Sequence, residues 1–161
     1  MQDEAPPPIE TARPRLFVDA DACPVKEEIY RVALRLGVET FLVAASYIRA
    51  PSHPLLRPVA AGTAFDAADD WIAERAQDGD IVVTGDIPLA ERALKNGAAV
   101  LNHTGKPFTR DSIGMAMATR ALMQDLRAMG EATGGPKPFA AADRSRFLSA
   151  LDTAIQRARR T

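Results

Sequence analysis

Apolar positions along this chain form short unbroken runs that alternate with stripes recurring every three or four residues. Leu16-Phe17-Val18 is a run that stops at Asp19, the form of a strand buried on both faces. Ile29, Val32, Ala33 and Leu36 follow at helical spacing, with Pro24 suited to a first helical turn and Gly37 at the stop. The β-branched and apolar segment 40–45 predicts a second strand, and a connection containing Pro and His leads to a short strand over 59–61. A helix is expected from Asp66 to about Gln77. Gly79-Asp80 then turns the chain into Ile81-Val82-Val83, a central strand. Thr84-Gly85-Asp86 ends that strand and opens another helix, with Pro88 in its first turn and Gly97 at its end. Segment 98–101 reads as a further strand. The spacing predicts a helix over 109–129, with Ile113, Met117, Leu122 and Leu126 as its buried stripe, ended by Gly130 and Gly134-Gly135-Pro136. Phe147, Leu151 and Ile155 recur every four residues in a last helix over 143–160.

Strands alternating with helices imply a mostly parallel sheet covered on both faces, a three-layer α/β sandwich. The 161 residues suit one such domain. The acidic N-terminus with Pro6, Pro7 and Pro8 reads as a mobile tail over 1–14, which leaves residues 15–158 for the domain, C-terminal helix included. No internal repeat or second domain is visible. Hydrophobic residues at 47% and charged residues at 25% exclude a wholly disordered, collagenous or coiled-coil chain. The single Cys23 excludes an internal disulfide framework and a zinc cage of several cysteines. Every apolar stretch falls far short of the roughly 20 residues that a membrane span needs, and the N-terminus lacks the basic-then-apolar order of a secretory signal. A cytoplasmic protein without membrane contact is the expectation.

In a parallel sheet, sites form outside the carboxyl ends of the strands, and acidic residues gather there in this sequence. Asp19 and Asp21 follow the first strand, Asp66, Asp69 and Asp70 open the helix after the third, and Asp86 follows the strand 81–83. Each cluster alone is explained by helix capping, because Asp is a favoured N-cap; Asp66 with Asp69 has that form. Together they demand compensation, since unit charges 4 Å apart repel by about 4 kcal/mol at an effective dielectric near 20. Mg²⁺ or Mn²⁺ supplies it, taking hard oxygen ligands and activating water for phosphodiester hydrolysis. Asp66, Asp69 and Asp70 share one helical side by their spacing.

The motifs VDADACPVKEEIYRVA, FDAADDWI, GDIVVTGDIPLAERAL, GGPKPF and DRSRF together resemble the YaiI/YqxD family of uncharacterised bacterial proteins, over about residues 15–155. That family is grouped with PIN-like domains, commonly metal-dependent ribonucleases with an acidic site at the carboxyl edge of a parallel sheet. The resemblance implies a PIN-like fold and a site in which Asp19 ends the first strand, Asp66 to Asp70 form the acidic helix start, and Thr84-Gly85-Asp86 is the strand-terminal Thr-x-Asp. The second acidic position of a typical PIN site has no clear match, with Asp21 and Glu27 as its candidates.

These readings make the leading expectation a nuclease that hydrolyses RNA or another phosphodiester. Asp19, Asp66, Asp69 and Asp86 would hold Mg²⁺ or Mn²⁺, and Asp21 and Asp70 would complete the catalytic shell. Lys106, Arg120, Lys137 and Arg144 are weaker candidates for phosphate contacts; several basic residues flank glycine-rich loops, where backbone N–H groups also meet anions. Two alternatives stand beside it. One is a non-catalytic PIN-like domain that binds RNA or protein. The other is an aspartyl-phosphate phosphatase, because residues 16–21 also resemble the first motif of haloacid-dehalogenase-like enzymes, in which the first Asp is the nucleophile. Against the latter, Cys23 stands where Thr or Val is usual, and Thr84-Gly85-Asp86 lacks the second downstream acid. Cys23 is read as a small packed residue, His53 and His103 as surface loop residues, and Trp71 as part of the core or an interface.

Charge changes the picture last. The net −1 argues against an overtly basic nucleic-acid protein, yet residues 1–100 carry 10 Lys+Arg against 16 Asp+Glu, a net −6, and residues 101–161 carry 10 against 5, a net +5. An acidic first part and a basic last part are compatible with a metal site facing a phosphate backbone.

Overall fold

Leu16–Asp19 forms strand β1 near the centre of the sheet, and its three apolar side chains are fully buried because helices cover both faces. The computed structural model describes residues 13–130 and 139–160. After β1 the chain forms α1 (Lys26–Leu36), β2 (Thr40–Ala44), β3 (Leu56–Ala60), α2 (Ala67–Arg75) and β4 (Ile81–Val83). It continues through α3 (Ile87–Lys95), β5 (Ala99–Leu101), β6 (Pro107–Phe108), α4 (Arg110–Ala128) and α5 (Ala141–Arg159). Among the described residues the sheet order is β3-β2-β1-β4-β5-β6, parallel throughout except for β6, which runs antiparallel to β5. This is the mostly parallel α/β sandwich that the alternation of runs and stripes predicts. The chain steps outward from β1 to β3, returns to β4 on the other side of β1, and steps outward again. The crevice between β1 and β4 is therefore a topological switch point.

The alternation of side chains along each strand divides the core in two. Phe17, Val82 and Val100 face Ile72 of α2, Leu89 and Ala90 of α3, and Ile113 of α4. Leu16, Val18, Leu42 and Ile81 face Ile29 and Val32 of α1 and Phe147, Leu151 and Ile155 of α5. Each fully buried side chain of this size is worth about 1.5–3 kcal/mol, and truncating Leu151 to Ala is expected to cost about 2–5 kcal/mol through the cavity it leaves. Phe17 stacks on Phe41 with ring centroids 5.1 Å apart, and Trp71 tilts against both at 6.1 and 5.7 Å. Trp71 thus belongs to the core layer, with the Arg75 guanidinium 4.0 Å over its outer face.

At the amino edge of the sheet, Asp80 is buried beside Arg15. The Arg15 guanidinium donates to Asp80 Oδ2 at 2.8 Å, and the Gln77 N–H donates to the same oxygen at 3.0 Å. Gly79-Asp80 is more than a turn, since it locks β1 to the start of β4.

Other expectations change in detail. β3 starts at Leu56, three residues before the expected strand, because it pairs along the whole of β2 from Thr40 to Ala44. Helix α4 buries Ile113 alone of its predicted stripe; Leu122 is 56% exposed, because past its first turns the helix has no second layer to pack on. Asp66 does precede α2, but at φ 61 its backbone is left-handed and its carboxylate makes no capping bond. Of the expected tail, residues 1–12 lie outside the described residues. Pro14 is buried, and Arg13 pairs with Asp80 at 3.3 Å.

Candidate functional site

Asp19 is the last residue of β1 and Thr84 the first beyond β4, so adjacent parallel strands bring them side by side at the switch point. The buried Thr84 hydroxyl donates to Asp19 Oδ2 at 2.9 Å and accepts the Asp86 backbone N–H, also at 2.9 Å. Thr84 therefore links the two aspartates through one oxygen. Asp86 caps α3, with Oδ1 accepting the Leu89 N–H at 2.9 Å, as Asp followed by Pro88 predicts.

The field at this edge is that of crowded carboxylates. Burial pushes the Asp19 carboxyl above its ordinary range; the Thr84 bond opposes this, and the Asp86 and Asp21 charges add to it. Asp69, in the first turn of α2, is pushed up to about 6 by burial first and then by Asp86, Asp19 and Asp66, against an opposing pull from Arg92. Asp19, Asp69 and Asp86 therefore share one electrostatic neighbourhood although they come from three separate loops. Asp66 joins it more loosely through its charge on Asp69.

The structure separates the other two acidic candidates. Asp70 turns to the Arg92 guanidinium on α3 at 2.7 Å, an exposed pair worth about 0–1 kcal/mol. Asp21 Oδ2 accepts the Ala45 N–H at 2.9 Å, which fastens the loop after β1 to the end of β2. Among the described residues no three His, Cys, Asp or Glu side chains are close enough to hold a metal ion by themselves. The donors nevertheless suit Mg²⁺ or Mn²⁺, which binds through one or two carboxylates and completes its shell with water and phosphate oxygens.

The basic candidates scatter. Lys106 is exposed beside β6, and Arg120 is exposed on α4. Arg144 donates to the Pro24 carbonyl at 2.6 Å and pairs with Glu28 at 3.4 Å, so it joins α5 to the start of α1. Lys137 lies outside the described residues. Two more residues stand at this edge: Lys26, which escaped the sequence reading, and His103, for which the sequence predicts a surface loop position. Lys26 donates to the Ala20 carbonyl at 3.3 Å and sets a cation beside the loop after β1. His103 lies against Gly85, its ring 3.6 Å from where a Cβ would stand, and burial lowers its proton affinity and favours neutral imidazole. It is a half-buried loop residue rather than a surface one. No periodicity marks either residue, and only the folded proximity of loops does. His53 is exposed, and its Nδ1 accepts the Leu55 N–H. Burial raises the Cys23 thiol above its usual range, which suits a packed residue and disfavours a thiolate nucleophile.

Comparison with known proteins adds a frame to this geometry. The family model described as "Uncharacterized BCR, YaiI/YqxD family" matches residues 17–157. A UPF0178 protein of Nitrobacter winogradskyi is 65% identical over 146 residues, 91% of this chain and 93% of the relative. A UPF0178 protein of Rhodopseudomonas palustris (strain HaA2) is 62% identical over 148 residues, 92% of this chain and 90% of the relative. One of Bradyrhizobium diazoefficiens is 62% identical over 146 residues, 91% of this chain and 87% of the relative. No solved structure matches the chain. No helix among the described residues is long and apolar enough to cross a membrane.

Proposed function

The chain belongs to the YaiI/YqxD family, and from that premise and the geometry of its acidic edge we propose a divalent-metal-dependent hydrolase of phosphodiesters, with RNA as substrate class. One observation carries the reading: at the switch point between β1 and β4 the Thr84 hydroxyl bonds both the Asp19 carboxylate and the Asp86 backbone N–H, and the Asp86 charge acts on Asp19. In open α/β sheets this is where ligands bind. Asp19 and Asp86 would hold Mg²⁺ or Mn²⁺, with Asp69 and Asp66 adding negative charge from the start of α2 and Asp21 and Asp70 held in outer positions. The metal would supply an activated water and charge neutralisation at the phosphate. The PIN-like kinship suggested by the sequence motifs supports the same chemistry.

A second reading has its own support. Asp86 and Asp21 each accept a backbone N–H, and Asp70 is paired with Arg92, which suits a binding domain whose aspartates stabilise loops. The experiment that separates them is Mn²⁺-dependent cleavage of a panel of single-stranded RNA and DNA, with Asp86→Asn beside the parent. Cleavage lost in the variant together with Mn²⁺ binding supports the hydrolase. Absence of cleavage in both forms, with RNA binding retained, overturns it in favour of the binding domain.

A further inference from the structure

Aromatic side chains in this protein are buried or half-buried, with two exceptions. Of the phenylalanines Phe65 alone is exposed, at 91%, and Tyr47 is 78% exposed while Tyr30 is buried. Both exceptions stand just past the carboxyl ends of neighbouring strands. The Ala61 and Gly62 N–H groups donate to the Ala44 and Ala45 carbonyls at 2.8 and 3.0 Å, so β2 and β3 stay paired up to Ala45 and Gly62. Tyr47 comes two residues after Ala45, and Phe65 three after Gly62. With strands about 4.8 Å apart, β2 lies one such step and β3 two steps from β1, whose Asp19 bounds the acidic crevice. The two loops are also tied to that crevice. Asp21 accepts the Ala45 N–H, and Phe65 immediately precedes Asp66, whose charge acts on Asp69.

In the loop after β2, exposure alternates residue by residue. Ile48 and Ala50 pack against the α1–α5 layer of the core, and Tyr47 and Arg49 between them are exposed. Two residues of extended chain span about 7 Å, so an aromatic ring and a guanidinium share one outer side at that spacing. Arg49 pairs with no carboxylate among the described residues. Residues 41–65 contain no Asp or Glu. Beside the crowded carboxylates there is thus a stretch that supplies open rings and a cation and adds no repulsion of its own. Single-stranded nucleic acids are held by this combination, with bases stacked on aromatic faces and the backbone met by cations. A duplex keeps its bases stacked on one another and offers none to a ring. We propose that Tyr47, Arg49 and Phe65 form a binding surface for single-stranded nucleic acid, in which the rings stack on bases and Arg49 holds a phosphate. That the strand continues from this surface into the crevice rests on the hydrolase reading; the stacking itself needs no metal.

The test is the affinity of the full chain for a fluorescein-labelled oligouridylate, read by fluorescence anisotropy in EDTA. Tyr47→Ala and Phe65→Ala should each weaken binding about tenfold or more, and Tyr47→Phe and Phe65→Tyr should keep the parent affinity, as stacking requires. Arg49→Ala should lower the slope of log affinity against log salt by about 0.7, the share of one phosphate contact, which a merely structural role would not move. Parent affinity in both alanine variants overturns the proposal, and the hydrolase still stands where the parent cleaves with Mn²⁺. Equal affinity of the parent for a duplex of the same length overturns it too. So does a change from dimer to monomer on Tyr47→Ala or Phe65→Ala with oligouridylate affinity kept, which gives the surface to a second copy. Metal-free binding that the alanine variants weaken, in a parent that cleaves nothing, upholds this surface and overturns the hydrolase alone.

Discussion

The Thr84 hydroxyl lies 2.9 Å from Asp19 Oδ2 and stands between that carboxylate and the Asp86 backbone. A buried hydroxyl with one donor and two acceptor positions uses them to fix two acidic residues from different strands. Thr84→Val keeps the shape and removes both bonds. If Asp19 and Asp86 hold metal, Mn²⁺ affinity measured by calorimetry should fall about 10–100-fold, as for other partners of metal ligands, and Thr84→Ser should restore most of it. Equal affinity in the parent and Thr84→Val would remove the relay from the site.

Asp69 gives a stability prediction with a defined sign. Its folded-state carboxyl titrates near 6, above the roughly 3.9 of an unfolded chain, so the folded state holds more protons between those values. This group's contribution to stability therefore falls as pH rises from about 4 to 6 and is level above about 7. Asp69→Asn should gain stability relative to the parent across that window and keep the gain at higher pH. Urea midpoints at pH 4.5, 6 and 7.5 measure it, and a difference that does not vary with pH would show that Asp69 is not strained by its neighbours.

If the proposed site holds metal, relief of the same crowding would make the metal a stabiliser. At about 100 times its Kd, a ligand that binds only the folded state adds about 2.7 kcal/mol, which in a chain of this size raises Tm by about 5–10 °C. Mn²⁺ at millimolar concentration should produce such a shift in the parent and a much smaller one in Asp19→Asn. A Tm that ignores the metal in both would count against a site at this edge.

At the opposite edge, Asp80→Ala leaves the buried Arg15 guanidinium without its carboxylate and removes the acceptor of the Gln77 N–H. Breaking one side of a buried pair costs about 3–5 kcal/mol, readable as a lower urea midpoint. Mn²⁺ affinity should stay at the parent level in whatever fraction is folded, because the pair lies across the sheet from the acidic crevice.

Local grammar made much of this molecule legible. The runs 16–18 and 81–83 are strands because they are buried on both faces, and Gly37 ends α1 because it alone accepts φ 69 there without strain. Asp86 with Pro88 marks a helix start through bonds made within three residues. What the sequence leaves hidden depends on distant partners. The exposure of Leu122 reflects a missing layer, Asp80 is decided by Arg15 sixty-five residues away, and Asp70 is turned aside by its pairing with Arg92 of α3. Strand β6 has only two residues and no run to announce it. The convergence of acidic residues on one edge follows from strand order, whereas the part each takes follows from the bonds each loop requires.

Trp71 is the chain's single tryptophan. Its ring rests on Phe17, two residues before Asp19, and it follows Asp69 and Asp70 in the first half of α2. Any change in how that helix sits over the acidic edge moves the indole relative to two aromatic rings and the Arg75 cation. The fluorescence of this protein is thus a one-channel optical readout of the site, free of background from a second emitter of its kind, and it reports on events at the edge without any added dye.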